Sequence, residues 1–286
     1  MALELVPAKP EHVSELGRIC YEAFKDIADR HHFPPHFPSV AFTRRILGML
    51  VQQEDYYGVV ALMDGQPVGS NFMSLTDEVA GVAIITVEVP FHGQDIGRAL
   101  MEDVVNYARR NNIERVRLLQ DSFNMASLSL YASLGFNVKE AVALMQPAPA
   151  AAEDDTVRPV TEADLSAIEE LSRRIYKVSR RNEVAAAIQY GLSPLLREQE
   201  NRITGYFTLG RMGHGVAETE EAALALVGEA ARHVPPEAAR FFCPLSESSF
   251  YRKALKAGCR ATQVMNLMAL GPYEPPDGVW MPSVEF

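Results

Sequence analysis

The sequence predicts an α/β protein built as two tandem units, each a mixed central sheet flanked by helices. Three observations predict it. Segments 5–24 (LVPAKPEHVSELGRICYEAF) and 157–176 (VRPVTEADLSAIEELSRRIY) open alike: placing Pro7 on Pro159 brings Val13, Leu16, Ile19 and Phe24 onto Leu165, Ile168, Leu171 and Tyr176. The ends also agree, because a helical pattern stopped by glycine (Gly135, Gly258) precedes a strand-like segment in each. Between the two lies QPAPAAAEDDT, a Pro/Ala/acid stretch without apolar period. The expected division is therefore 1–145, a linker at 146–156, and 157–286.

Within the first unit the order reads strand, then an amphipathic helix to about Ala28, with Glu11 near its start where the dipole favours an acid. A His/Pro-rich loop follows, then a helix over 40–53. Strands over 57–63 and 67–75 are joined by Asp64-Gly65, a hairpin turn signal. An apolar strand over 82–89 leads through a short glycine loop into a helix over 98–111, with Leu100, Met101, Val104, Val105 and Ala108 at helical spacing. A strand over 116–120, a helix over 125–134 and a last strand over 138–145 close the unit. Strands and helices mixed in this way imply a mixed sheet.

Bulk properties exclude several classes. A chain of 286 residues with 48% hydrophobic and 22% charged residues has an ordinary globular composition. A net charge of −10 without a basic patch argues against nucleic acid. No apolar run approaches the roughly 20 residues of a membrane span. Residues 1–12 lack a signal-peptide pattern, and Cys20, Cys243 and Cys259 are odd in number and far apart. Reduced, buried thiols and a cytoplasmic location are expected.

The segment 87–101, VEVPFHGQDIGRALM, carries the most chemistry. A strand, a tight glycine loop and a helix N-terminus converge backbone N–H groups on an anion, and the helix dipole adds partial positive charge. A phosphate or pyrophosphate suits such a site.

In order and residues the first unit resembles the GNAT superfamily of acyl-CoA-dependent N-acyltransferases. Three matches carry the resemblance: the opening strand and helix; the strand, pyrophosphate loop and helix from Val87 to Leu100; and Asn124, Ser127, Leu130, Tyr131, Gly135 and Phe136, which follow the family's N-x-x-A-x-x-L-Y before a G-F turn. The resemblance implies direct transfer of an acetyl group from acetyl-CoA to a small amine. It assigns Val87, Val89, His92, Gly93, Gln94, Asp95, Ile96, Gly97, Arg98, Ala99, Asn124 and Ser127 to the cofactor. Val87 and Val89 would serve by backbone and Asn124 on the pantetheine arm. Tyr131 would be the acid for the departing thiolate, with Glu88 as base and Asp121 as its rival.

Two positions depart from the family pattern: His92 replaces the usual Arg or Gln, and Asp95 the usual Gly. Asp95 sets a carboxylate at the mouth of an anion site, or caps the helix; Arg98 and His92 are expected to offset its charge. Its presence keeps open an alternative, a non-catalytic acyl-CoA-binding or regulatory protein. The loop 29–38, with His31, His32 and His36, is expected to wall the acceptor site; its spacing fits no standard metal set. The whole chain is also similar to tandem members of the family with a W/F-x-P-S-x-x-F-like tail, here 280–286.

The second unit has no comparable loop. Its nearest equivalent, 208–221, leads into a helix that opens with acids, which repel phosphate. Matching Gly258 to Gly135 puts Ala254 at the position of Tyr131 and Glu247 at that of Asn124. A degenerate unit is expected, one that closes the acceptor cleft, provides a homodimer surface or stabilises the first unit.

Overall fold

The computed structural model describes residues 2–209, 213–235 and 238–285. Its first half contains β1 (Leu3–Pro7), α1 (Val13–Arg30), α2 (Val40–Gln52), β2 (Tyr56–Met63), β3 (Gln66–Ser74), β4 (Ala80–Val87), α3 (Ile96–Arg110), β5 (Val116–Asp121), α4 (Met125–Ser133) and β6 (Asn137–Gln146). The second half repeats the series with β7 (Val157–Pro159), α5 (Leu165–Tyr176), α6 (Arg181–Gln189), β8 (Leu195–Gln199), β9 (Arg202–Phe207), β10 (Gly215–Ala217), α7 (Glu220–His233), β11 (Phe241–Pro244), α8 (Ser248–Lys256) and β12 (Arg260–Leu270). Only β13 (Val279–Met281) has no counterpart among the described residues.

The repeat extends to local chemistry. α4 and α8 are nine residues each, with Asn124 and Glu247 at the equivalent N-caps. Gly135 (φ 96°) and Gly258 (φ 90°) both take the left-handed conformation that ends a helix without Cβ strain. Phe136 and Cys259 then donate their N–H groups to the carbonyls of Tyr131 and Ala254, at 3.1 and 3.0 Å. In the β2–β3 hairpin, Asp64 (φ 50°) and Gly65 (φ 80°) make the expected two-residue turn.

The sheets do not respect the boundary at 146–156. One sheet has eight strands in the order β1-β2-β3-β4-β5-β12-β6-β11; the other has five, β13-β10-β9-β8-β7. β12 enters the first sheet antiparallel to β5, from Met265 opposite Asp121 to Leu270 opposite Val116. Reciprocally, β11 pairs with β6, from Phe241 opposite Met145 to Pro244 opposite Val142. Each half thus lends a strand to the other, with β12 and β6 paired between β5 and β11. The linker is packed, since Ala150 donates to the Gly228 carbonyl at 3.0 Å.

Helices cover both faces of the large sheet. α3 and α4 bury Leu100, Met101, Val104 and Tyr131 against Ala80, Val82 and Leu118. On the other face α1 and α2 bury Leu16, Cys20, Leu47 and Leu50 against Val60, Phe72 and Ile84. The three cysteines are free and buried, and burial pushes the thiols of Cys20 and Cys243 up to about 12, which keeps them protonated.

The C-terminal segment fastens the halves together. Tyr56 on β2 donates to Glu285 Oε2 at 2.6 Å, and Arg180 donates to Ser283 Oγ at 3.2 Å. Asp77, after β3, accepts the N–H groups of Asn182 and Glu183 at the start of α6, both at 3.1 Å. Phe286, the last residue of the expected tail motif, lies outside the described residues.

Candidate active site

The site is built around a gap between β4 and β5. These parallel strands pair only at Ala80–Val116 and Gly81–Arg117. Beyond Gly81, β4 keeps its antiparallel partner β3 as far as Val87. A bulge at Ala83 shifts the β3–β4 register, and bulges add twist. The edge of β4 that faces β5 therefore has no strand partner from Val82 onward among the described residues.

β4 ends at Val87, two residues earlier than the sequence suggests. Pro90 lacks an N–H, and residues Val89–Phe91 form a turn of 3-10 helix. Val89 is thus outside the strand. Val87 keeps its place at the strand end, but its carbonyl is 2.8 Å from His92 Nε2. An incoming amide N–H competes with that exposed imidazole for the same oxygen.

The loop then turns through Gly93 (φ 76°), where open space surrounds the missing Cβ, so the backbone conformation and not crowding selects glycine. Asp95 occupies the N-cap of α3 with φ 58°, and its side chain makes no cap hydrogen bond. Of the two expectations for Asp95, the cap is not made: with its backbone left-handed, the carboxylate forms no bond to the helix's leading N–H groups. α3 begins at Ile96, two residues before expected, and its first N–H groups, through Arg98, have no side-chain acceptor among the described residues. By contrast Ser39, Asn124 and Thr219 cap α2, α4 and α7. Arg98 does not answer Asp95 either; its guanidinium donates to Ser133 Oγ at 3.0 Å. Gln94 donates to the Pro90 carbonyl at 3.2 Å. An anion placed here would meet the backbone N–H groups around Gly93 and from Ile96 to Arg98 at the positive end of the α3 dipole, since the Ala99 N–H already donates to the Asp95 carbonyl at 2.9 Å.

Glu88 lies past the end of β4 and pairs with Arg18 of α1, which also holds Glu15 and Glu22. The guanidinium meets this carboxylate at Oε1. Asn124 is an N-cap, accepting from Ser127 N at 3.2 Å, while Ser127 Oγ accepts from Gln120 Nε2 at 3.0 Å.

Tyr131 and Asp121 approach the gap from opposite faces. Tyr131, on α4, belongs to the core beneath α3. Gln120 points to α4, bonding the Asn124 carbonyl at 2.7 Å, so alternation directs Asp121 to the α1/α2 face. Burial first, and the Asp121 charge second, raise the Tyr131 phenol well above its usual range, so it stays protonated. Asp121 is the last residue of β5 and not, as expected, beyond it. Gln263 of β12 donates to Asp121 Oδ1.

The His/Pro loop closes this end. Phe33 stacks on Phe123 at 4.4 Å, and His36 Nε2 lies 3.0 Å from Asp121 Oδ2. Sequence reasoning named the loop but not this pairing, and it missed Gln263 entirely. No group of three or more His, Cys, Asp or Glu suited to a metal occurs among the described residues.

The second unit presents a different edge. There β10 is paired antiparallel with β13, from Gly215 opposite Met281 to Ala217 opposite Val279. Glu220 and Glu221 open α7, and buried Ala254 stands where α4 has Tyr131. Gly210, Arg211 and Met212 of the expected loop equivalent lie outside the described residues.

Comparison with known proteins matches residues 18–136 to the acetyltransferase (GNAT) family. That match spans 119 of the 286 residues, all of them in the first half of the chain. A Pyrococcus horikoshii protein described as an acetyltransferase superposes on 99% of this chain and 94% of its own, with a TM-score of 0.79 at 15% identity. A GCN5-related N-acetyltransferase of Sphaerobacter thermophilus covers 97% of each chain with a TM-score of 0.63 at 16% identity. A tandem GNAT protein from the clavulanic acid biosynthesis pathway covers 96% of this chain and 100% of its own, at 0.60 and 14%. At these identities the likeness is one of fold, and it extends to the tandem arrangement. A Methanocaldococcus jannaschii protein named as an uncharacterized N-acetyltransferase is 32% identical over 101 residues, 33% of this chain; the chain spans only 44% of that relative's length.

Acetyl-CoA is the acyl donor of GNAT enzymes, and the residues of the N-terminal unit fit it. The open edge of β4 offers backbone groups to an extended pantetheine arm, and the uncapped start of α3 offers N–H groups to a pyrophosphate. Among the described residues no helix is long and apolar enough to cross a membrane.

Proposed function

We propose that this protein transfers an acetyl group from acetyl-CoA to the amine of a small molecule, with the chemistry in the N-terminal unit. One contrast carries the reading: the β4 edge is open beside an uncapped helix, whereas the equivalent β10 edge is paired with β13. Acetyl-CoA, when bound, supplies a thioester carbonyl open to attack by an amine.

The roles of the chain's own residues follow from their positions. Backbone N–H groups around Gly93 and from Ile96 to Arg98 hold the pyrophosphate. Val87 and Asn124 orient the pantetheine arm, Val87 after His92 has released its carbonyl. Tyr131 keeps its proton until a thiolate leaves and then donates it. Glu88 fixes α1 to the end of β4 through Arg18. The loop 29–38 and Phe123 wall the acceptor side. The second unit steadies the site through Gln263, and its own edge holds no donor.

Titration calorimetry and a thiol-release assay with acetyl-CoA and a panel of primary amines test the reading. One acetyl-CoA per chain and turnover with at least one amine are expected. Binding without turnover across a broad panel supports the non-catalytic alternative, which Asp95 at the mouth of the anion site favours.

A further inference from the structure

We propose that His36, held by Asp121, is the base that accepts the proton of the attacking amine. The inference rests on the acetyl-transfer reading and deepens it.

The His36 side chain is only 5% exposed and that of Asp121 9%. Its ring packs against Phe24 of α1, with centroids 5.1 Å apart. Neither Nδ1 nor Nε2 has a hydrogen-bond partner among the described residues. Nε2 comes within 3.0 Å of Asp121 Oδ2, but without the alignment of a hydrogen bond. A buried polar atom left unsatisfied is destabilising, because it has given up water without gaining a partner. Histidine is a poor choice of wall residue under that penalty, whereas leucine or phenylalanine would fill the space without it. The ring stands beside Asp121 at the end of β5, and a ring nitrogen left without a partner there suits a group whose partner is the substrate, since catalytic hydrogen bonds are often poorly aligned before substrate arrives.

Asp121 supplies the orientation. Its carboxylate favours the tautomer with the proton on Nε2, which leaves the Nδ1 lone pair as acceptor. Gln263 occupies Oδ1, so Oδ2 is the oxygen left for the imidazole. The same carboxylate bears on Tyr131 from across the gap, where its charge opposes formation of a phenolate.

This arrangement couples the two proton movements. The C–N bond forms as the C–S bond breaks. The amine proton passes to His36 Nδ1, and the Tyr131 proton passes to the departing sulfur. The new imidazolium faces Asp121 and offsets its charge, which weakens the field opposing the Tyr131 phenolate. One proton returned from His36 to Tyr131, directly or through water, resets the site. No oxidant, metal or further reactant is required.

The test uses the full chain and an amine that the wild-type protein acetylates. His36→Gln should lower kcat about 100-fold, the scale of a lost general base. The acetyl-CoA Kd should remain within about twofold. His36→Gly opens a cavity beside Phe24, and added imidazole should restore turnover to that variant. A His36→Gln enzyme within about threefold of wild-type kcat overturns the proposal. So does a folded, acetyl-CoA-binding His36→Gly variant that imidazole fails to rescue. Wild-type protein that binds acetyl-CoA but acetylates no amine overturns the acetyl-transfer reading itself, and this assignment with it.

Discussion

The Tyr56 hydroxyl on β2 and the Glu285 carboxylate near the C-terminus share a 2.6 Å hydrogen bond that ties the end of the chain to the first unit. Burial, before any neighbouring charge, pushes the Glu285 carboxyl up to about 8, and its Oε1 has no hydrogen-bond partner among the described residues. The folded protein therefore holds a proton that the unfolded chain releases near pH 4.5. Stability falls as pH rises between these two values and levels off above about 8. Glu285→Gln keeps an acceptor for Tyr56 and removes the titration. The variant should be more stable than wild type at pH 8.5, by up to ~5 kcal/mol if the whole shift is expressed. At pH 5 the two should be similar. Urea midpoints measured across pH 5–9 check this, and parallel pH curves for the two proteins would remove Glu285 from the account.

Tyr131→Phe tests the acid. Tyr131 is buried and its phenol stays protonated, so the substitution removes one oxygen from a packed core and little else. Turnover should fall about 100-fold while acetyl-CoA affinity changes by less than about twofold. Steady-state kinetics beside calorimetry separate the two quantities. Equal turnover would take Tyr131 out of the mechanism.

Local signals were legible in the sequence because they have local causes. The glycines that end α4 and α8, the Asp64-Gly65 turn and the helical spacing of α3 each reflect backbone geometry within a few residues. Strand ends shifted where a neighbour decides them: β4 stops at Val87 because the Pro90 turn begins, not because the apolar run ends. Pairing across the linker was not legible. β12 lies beside β5 through contacts between residues about 150 apart in sequence, and neither strand's pattern of side chains names its partner. The same distance in sequence hid Gln263 from Asp121. His36 stood in view as one of three histidines in a loop, but only the fold brings it to the end of β5.

Asp95 bears on affinity through charge alone. Its carboxylate makes no cap bond and stands beside N–H groups suited to a pyrophosphate. Asp95→Asn keeps a residue tolerant of positive φ and removes the charge. It should tighten acetyl-CoA binding about two- to fivefold at low ionic strength, and the gain should shrink in 0.5 M salt. Asp95→Gly should tighten it at least as much, since glycine also relieves the left-handed backbone. Calorimetric Kd values at two salt concentrations decide the matter; unchanged or weaker binding would place the pyrophosphate elsewhere.

Two glycines near the gap should respond to alanine to different degrees. A Cβ on Gly93 meets nothing within 4 Å, so Gly93→Ala suffers only the strain of φ 76°, about 1 kcal/mol. A Cβ on Gly81 would overlap the backbone carbonyl of Glu285, which cannot move without breaking the Tyr56 contact. Gly81→Ala should therefore cost more than about 2 kcal/mol, or release the tail and leave residues 283–285 open to carboxypeptidase. The release also removes the buried carboxyl, so a Gly81→Ala variant that survives should lose the decline in stability between pH 5 and 8. Thermal unfolding at pH 5 and 8, with a timed carboxypeptidase digest, distinguishes these outcomes from a harmless substitution. A Gly81→Ala protein with wild-type stability, pH response and digestion would mean that the tail does not sit against β4.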